Sequence, residues 1–193
     1  MSQVEGQIRD EQLDAEREAR RQIALAQVRQ YPDPVLRMKA NEVEAFDEAL
    51  RTLADRMGAL MQEARGVGLA APQVGVLQRV LVYQAAEDEP VRALVNPRAL
   101  EASETLEIAD EGCLSLGAAT VVVGVERPDS VVVTAASPEG EELRIEADGL
   151  TARVLQHELD HLDGVLILDR ASPEDRKEAL AKLRPQPILG PLH

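Results

Sequence analysis

Two of the three histidines in the chain, His157 and His161, stand four residues apart in QHELDHLDG, Gln156 to Gly164. Residues at that spacing stack one turn apart on a helix, so both rings can reach a single ion at roughly 2.0–2.1 Å. Glu158 is rotated about a hundred degrees from its neighbour His157. That makes it a base bordering an open metal position, able to take a proton from bound water, rather than a ligand. The competing reading is a pair of core histidines satisfied by backbone or carboxylates. Asp160 and Asp163 could orient a ring nitrogen from behind, and a solvated helix end accounts for Asp163 equally well.

A metal pair needs a third donor. The pattern H-E-x-x-H-x-x-G-x-x-H is followed through Gly164 but has Ile167 where its last histidine belongs. Glu174 and Glu178 lie in SPEDRKEAL, whose mixed acids and bases after Ser172 read as a capped, solvated helix. The remaining soft donor is the single cysteine, Cys113, in EGCLS, Glu111 to Ser115. A lone cysteine is commonly a small buried hydrophobe, but Gly112 beside it permits close backbone approach.

These residues need a frame to hold them. From Asp148, a candidate N-cap, to Gly164, a stop, the histidines share a stripe with Leu150 and Val154, while Leu155, Leu159 and Leu162 form another. A helix apolar on most of its circumference belongs in the interior. A second helix is expected from about Asp47, with Phe46, Leu50, Leu53, Met57, Leu60 and Met61 at helical spacing and the methionines as core. Strands are expected at Arg79 to Tyr83, Val91 to Val95, Thr120 to Val125, Ser130 to Thr134 and Glu141 to Ile145, separated by turn signals such as RPDS and SPEG. Strands in the middle and helices at the flanks predict an α+β fold, mainly antiparallel sheets packed around the buried HELDH helix.

The bulk composition restricts the context. At 193 residues and 45% hydrophobic, the chain suits one core. Its net charge of -14 argues against direct nucleic-acid specificity. One cysteine forms no intrachain disulfide, no run is apolar enough for a bilayer, and the charged start lacks the apolar core of a signal peptide. The expectation is a cytoplasmic protein without a membrane. Three parts are expected: a charged extension, helical or frayed, over 1–22; a catalytic domain over 23–170; and a helix with a Pro-rich tail over 171–193.

GVGLAAPQ from Gly66, EGCLS and QHELDH, in that order, resemble the three signature stretches of the bacterial peptide deformylases. YPDPVL, VNP at Val95 and DGL at Asp148 extend the resemblance over roughly Ile23 to Asp169. It implies one divalent metal held by Cys113, His157 and His161, Fe²⁺ in the cell with Zn²⁺, Ni²⁺ or Co²⁺ able to replace it, and Glu158 as general acid/base. It also implies that the Gln73 amide and the Leu114 backbone N–H meet a developing oxyanion. The substrate would be a formyl-Met nascent peptide, met in transient contact with a ribosome and releasing formate. It would pair as a strand with Val67 and Gly68, its methionine between Val67, Leu150 and Val154. In one respect the chain departs from the family: LGAATVVVGVERP, from Leu116, has no proline before Pro128 and no aromatic residue, and Leu116 to Thr120 offers only small side chains and backbone. The residues after the methionine are therefore expected to matter little. Two other functions use the same helix, a zinc peptidase and a noncatalytic binding relative; Gln73, Cys113 and Glu158 together argue against the second, since binding needs no proton shuttle.

Overall fold

The computed structural model describes residues 3–86, 88–117 and 120–184, with side chains from residue 14 onward. Helix α1, Gln3–Leu25, carries the charged stretch and ends in the core, where Ala24 and Leu25 are buried with Val28 just beyond. Asp47 starts α2, Glu48–Glu63, by accepting a hydrogen bond from the Leu50 amide at 3.0 Å. Met57 and Met61 are core residues, as their spacing predicts, whereas Phe46 lies outside the helix and is partly exposed.

The main sheet is antiparallel throughout, in the order β1-β2-β3-β6-β7. Its strands are β1, Gly68–Ala70; β2, Val80–Tyr83; β3, Arg92–Ala102; β6, Ser130–Ala136; and β7, Glu142–Asp148. Strand β2 shows why RVLVY has no polar alternation. Val80 and Val82 pack with Met57 and Met61 of α2, and Leu81 and Tyr83 pack on the opposite face. A separate antiparallel pair, β4, Leu106–Gly112, and β5, Val122–Pro128, frames the segment that contains Cys113.

Helix α3, Gly149–Leu162, carries the histidines and lies on the second face of the main sheet. Ala152, Leu155, Leu159 and Leu162 pack there against Leu81, Leu94, Val131 and Val133. Asp148 occupies the N-cap position, but its side chain makes no capping bond. The stop at Gly164 has a steric reason: its φ is +74°, and a Cβ would sit 2.6 Å from the Arg37 carbonyl oxygen. Helix α4, Ile167–Arg170, leads to α5, Pro173–Lys182, which Ser172 caps by accepting from the Asp175 amide. The Pro-rich tail from residue 185 lies outside the described residues.

The α+β architecture with a buried HELDH helix stands as the sequence predicts, and individual strands differ. Strand β3 runs past its expected end at Val95 through Asn96 and Pro97, where the register with β6 shifts. A bulge accommodates a proline that cannot donate to the ladder. Strand β4 escapes periodicity because its polarity is reversed, with Leu106 and Ile108 exposed and Glu111 buried. RPDS is also more than a turn signal: Arg127 is next to last in β5 and only 2% exposed.

Candidate active site

Cys113 follows β4 directly and meets the two histidines of α3, the ligand atoms of all three lying within 4.8 Å of one another. Cys113 Sγ is 3.2 Å from His161 Nε2, and the His157 and His161 rings are 5.0 Å apart at their centroids. Sulfur and nitrogen bound to one ion at about 2.3 and 2.0–2.1 Å stand roughly 3–4 Å apart, so the three side chains are spaced as donors to a single ion. Burial holds the His161 pKa well below its ordinary value, keeping the ring neutral with a lone pair to offer. Burial pushes His157 down as well, but Cys113 and Glu111 beside it more than reverse this and raise its pKa. Surroundings that favour a proton there favour a cation among the three donors.

Glu158 is buried beside this cluster and is not one of the donors. Burial raises its carboxyl to a pKa of about 7, and its Oε2 has no hydrogen-bond partner among the described residues. Gly68 makes room for it, since a Cβ there would lie 2.3 Å from Glu158 Oε1. Gln73 is fixed from both ends. Its Oε1 accepts from the Ala70 amide at 2.8 Å, and its Nε2 donates to Ser115 Oγ at 3.2 Å and lies 3.7 Å from Cys113 Sγ. The carbonyl of Leu114 accepts from Gln30 Nε2 at 2.8 Å, which anchors the turn after Cys113.

A cavity of about 230 Å³ collects these groups. Val67, Gly68, Gln73, Cys113, Leu114, Leu150, Val154, His157 and Glu158 all line it; His161, behind Cys113, does not. Val154 is buried, while Val67 and Leu150 are half exposed, so the pocket opens between them. No described residue from Leu116 to Pro128 lines it, and Leu116 is core. A larger cavity of about 520 Å³, with Arg79, Arg127, Asp160, Asp163 and Arg170 in its walls, contains none of the donors.

Residues 25–177 match the family described as polypeptide deformylase. The chain belongs to the peptide deformylase family. It is 46% identical over 156 residues to the peptide deformylase of Natranaerobius thermophilus, covering 81% of this chain and 98% of that one. The peptide deformylase of Synechococcus elongatus, solved in complex with actinonin, superposes with a TM-score of 0.76 at 40% identity, covering 80% of this chain and 85% of that one. The Thermotoga maritima peptide deformylase structure gives 0.72 at 44% identity, over 76% and 97%. Peptide deformylase function, that of a metallohydrolase, follows for this chain, and with it formyl-Met peptides as substrates.

The sequence does not reveal what lies behind the deformylase histidines. Glu111 Oε2 is 2.9 Å from His157 Nδ1, leaving Nε2 to face the cluster. Arg127 binds both Glu111 oxygens, at 2.6 and 2.9 Å, and Asp160 at 2.9 Å; Arg153 adds a bond of 2.9 Å. Burial alone would raise the Glu111 pKa, but the bonds from Arg127 and His157 outweigh it and hold the carboxyl at about 2. The aspartates do not orient the rings: Asp160 pairs with Arg127 and Arg170, and Asp163 with Arg79 and Lys39. Glu174 and Glu178 are exposed on α5, as their charge pattern predicts. The signal for Glu111 was its place two residues before Cys113, which puts it on the same wall. Glu111→Gln is expected to weaken metal binding by about 10–100-fold, the usual cost of losing a ligand's orienting partner. It should also lower the melting temperature, because Arg127 loses one of its two buried counter-charges and keeps only Asp160. Metal titration and thermal unfolding of one sample check both.

Proposed function

We propose that residues 23–170 form the catalytic unit and that Cys113, His157 and His161 hold one divalent ion, Fe²⁺ in the cell, with Zn²⁺, Ni²⁺ or Co²⁺ able to occupy the same donors. The observation that carries this is the meeting of a buried thiol and two imidazoles within 4.8 Å, beside a separate buried carboxylate. A bound ion there would supply Lewis acidity toward a carbonyl and would lower the pKa of a bound water far enough for it to lose a proton near neutral pH. Glu158, with a pKa of about 7, is matched to take a proton from the attacking water and return it to the leaving amine as formate departs. Gln73 Nε2 and the Leu114 backbone N–H donate to the oxygen that gains charge as the carbonyl is attacked. Each such donor is typically worth about 3–4 kcal/mol of barrier.

The formyl-Met peptide adds as a strand along Val67 and Gly68, where the bare backbone of Gly68 allows pairing beside Glu158. Its methionine enters between Val67, Leu150 and Val154. No helix among the described residues is long and apolar enough to cross a membrane. We place the reaction in the cytoplasm, on nascent chains leaving a ribosome.

The deciding experiment is formate release from a formyl-Met peptide by anaerobically purified protein, with metal content measured on the same sample. Release from the formylated peptide, with internal amide bonds and unformylated peptides untouched, is expected. Cleavage of internal bonds instead would assign a peptidase.

A further inference from the structure

Arg65 stands at the mouth of the cavity, where neither the sequence motifs nor the chemistry of formyl hydrolysis calls for it. It follows Ala64, the C-cap of α2, with a left-handed φ of 58°, and its side chain is exposed. That side chain makes no hydrogen bond or ion pair with another described residue. Glu18 of α1 is near enough to feel its charge but is bound to Gln22 and Arg21. On the β4 side of the cavity Asp110 is the other exposed charged residue of the lining, and its side chain has no bonded partner among the described residues. The remaining charges are engaged or deep: Glu111 and Arg153 bind each other, and Glu158 is buried.

The position of Arg65 along a substrate follows from the strand reading proposed above, on which this inference rests. A peptide reacting beside Glu158 has its first residue against Gly68, whose backbone approaches that carboxylate. It leaves toward Arg65, because Gly66 and Val67 line the cavity whereas Leu69 and Ala70 are fully buried and do not. Even fully extended, the three steps from Gly68 to Arg65 would span at most roughly 10 Å, and the turn at Arg65 shortens that reach. The guanidinium therefore meets the third or fourth residue, well past the methionine pocket. We propose that Arg65 is a specificity-determining residue that favours an acidic side chain at the third or fourth position of the formyl-Met peptide, with Asp110 on the facing wall moderating that preference. The segment from Leu116 supplies no cation to the cavity, so this contact comes instead from the residue just before the first motif, against the expectation that later residues matter little.

The test measures formate release by the metal-loaded protein from formyl-Met-Ala-Ala-X and formyl-Met-Ala-X peptides, with X as Asp, Ala or Lys. Exposed ion pairs are weak, worth about two- to fivefold in affinity. The ratio of KM for the Lys peptide to KM for the Asp peptide should fall by about that factor in Arg65→Ala. It should persist in Arg65→Lys and rise in Asp110→Asn, with little change in the kcat ratio, since the contact is shared by ground and transition states. High salt should flatten all the ratios. Comparing variants cancels the field of the chain's net charge of -14. Dissociation constants of the Met-Ala-Ala-X products, read by calorimetry, should show the same order without turnover. An unchanged ratio in Arg65→Ala alongside continued formate release overturns the role of Arg65 alone. No formate release by the unaltered protein from any formyl-Met peptide overturns the functional reading beneath it.

Discussion

Glu158→Gln is expected to lower kcat by about 10²–10⁴ while the protein keeps its metal. The range is that of a lost general acid/base, and the structure separates this loss from ligand loss. The Cys113, His157 and His161 donor atoms cluster without Glu158, which lines the cavity beside them. Glutamine has nearly the same shape, so the space that Gly68 leaves for the carboxylate is refilled. Burial already disfavours the charged carboxylate, as its pKa of about 7 records. A neutral amide in its place should therefore not reduce thermal stability. Metal analysis, single-turnover formate release and thermal unfolding of one preparation check this outcome. A variant that loses its metal, with turnover falling only in proportion, would make Glu158 a ligand or a structural support instead of a proton carrier.

Legibility from sequence followed the direction of burial. The HELDH helix was readable because a hydrophobic stripe and a metal-pair spacing coincide on one element, and α3 seats Leu155, Leu159 and Leu162 on the sheet as that stripe requires. The run VLVY was readable as a strand covered on both faces. Strand β4 was not, because it turns Leu106 and Ile108 outward and Glu111 inward, against the rule that periodicity relies on. The same inversion hid the Glu111, Arg127 and Asp160 network, since charged residues are read as solvated until a partner is seen. Arg127 lies 16 residues from Glu111 in sequence and 33 from Asp160, separations to which no local pattern is sensitive. Arg65 was missed for a related reason: its meaning comes from a cavity wall shared with β4, and only the assembled fold brings those walls together.

Cys113→Ser is expected to abolish stoichiometric metal binding. Cys113 is 3% exposed, at the end of β4 between the cavity and the core that Leu116, Val123 and Val125 build. Its sulfur is 3.2 Å from His161 Nε2 and 3.7 Å from Gln73 Nε2, so a substitution acts on the centre itself rather than on a distant support. An alcohol keeps its proton at neutral pH and is a poor ligand for ions that prefer thiolate and imidazole. Losing a donor outright should cost more than the roughly 10–100-fold set by losing an orienting partner, so Cys113→Ser should bind metal more weakly than Glu111→Gln. The two variants should also differ in stability. Serine removes no buried charge, whereas the Glu111 variant takes from Arg127 the carboxylate that pairs with it through two bonds and leaves it only Asp160, so Cys113→Ser should unfold at the higher temperature when both are stripped of metal. Metal-to-protein ratio under anaerobic conditions, and unfolding with and without chelator, read both effects. Full occupancy with unchanged formate release in Cys113→Ser would mean that the third ligand lies elsewhere and that the 3.2 Å contact is only a thiol packed on an imidazole.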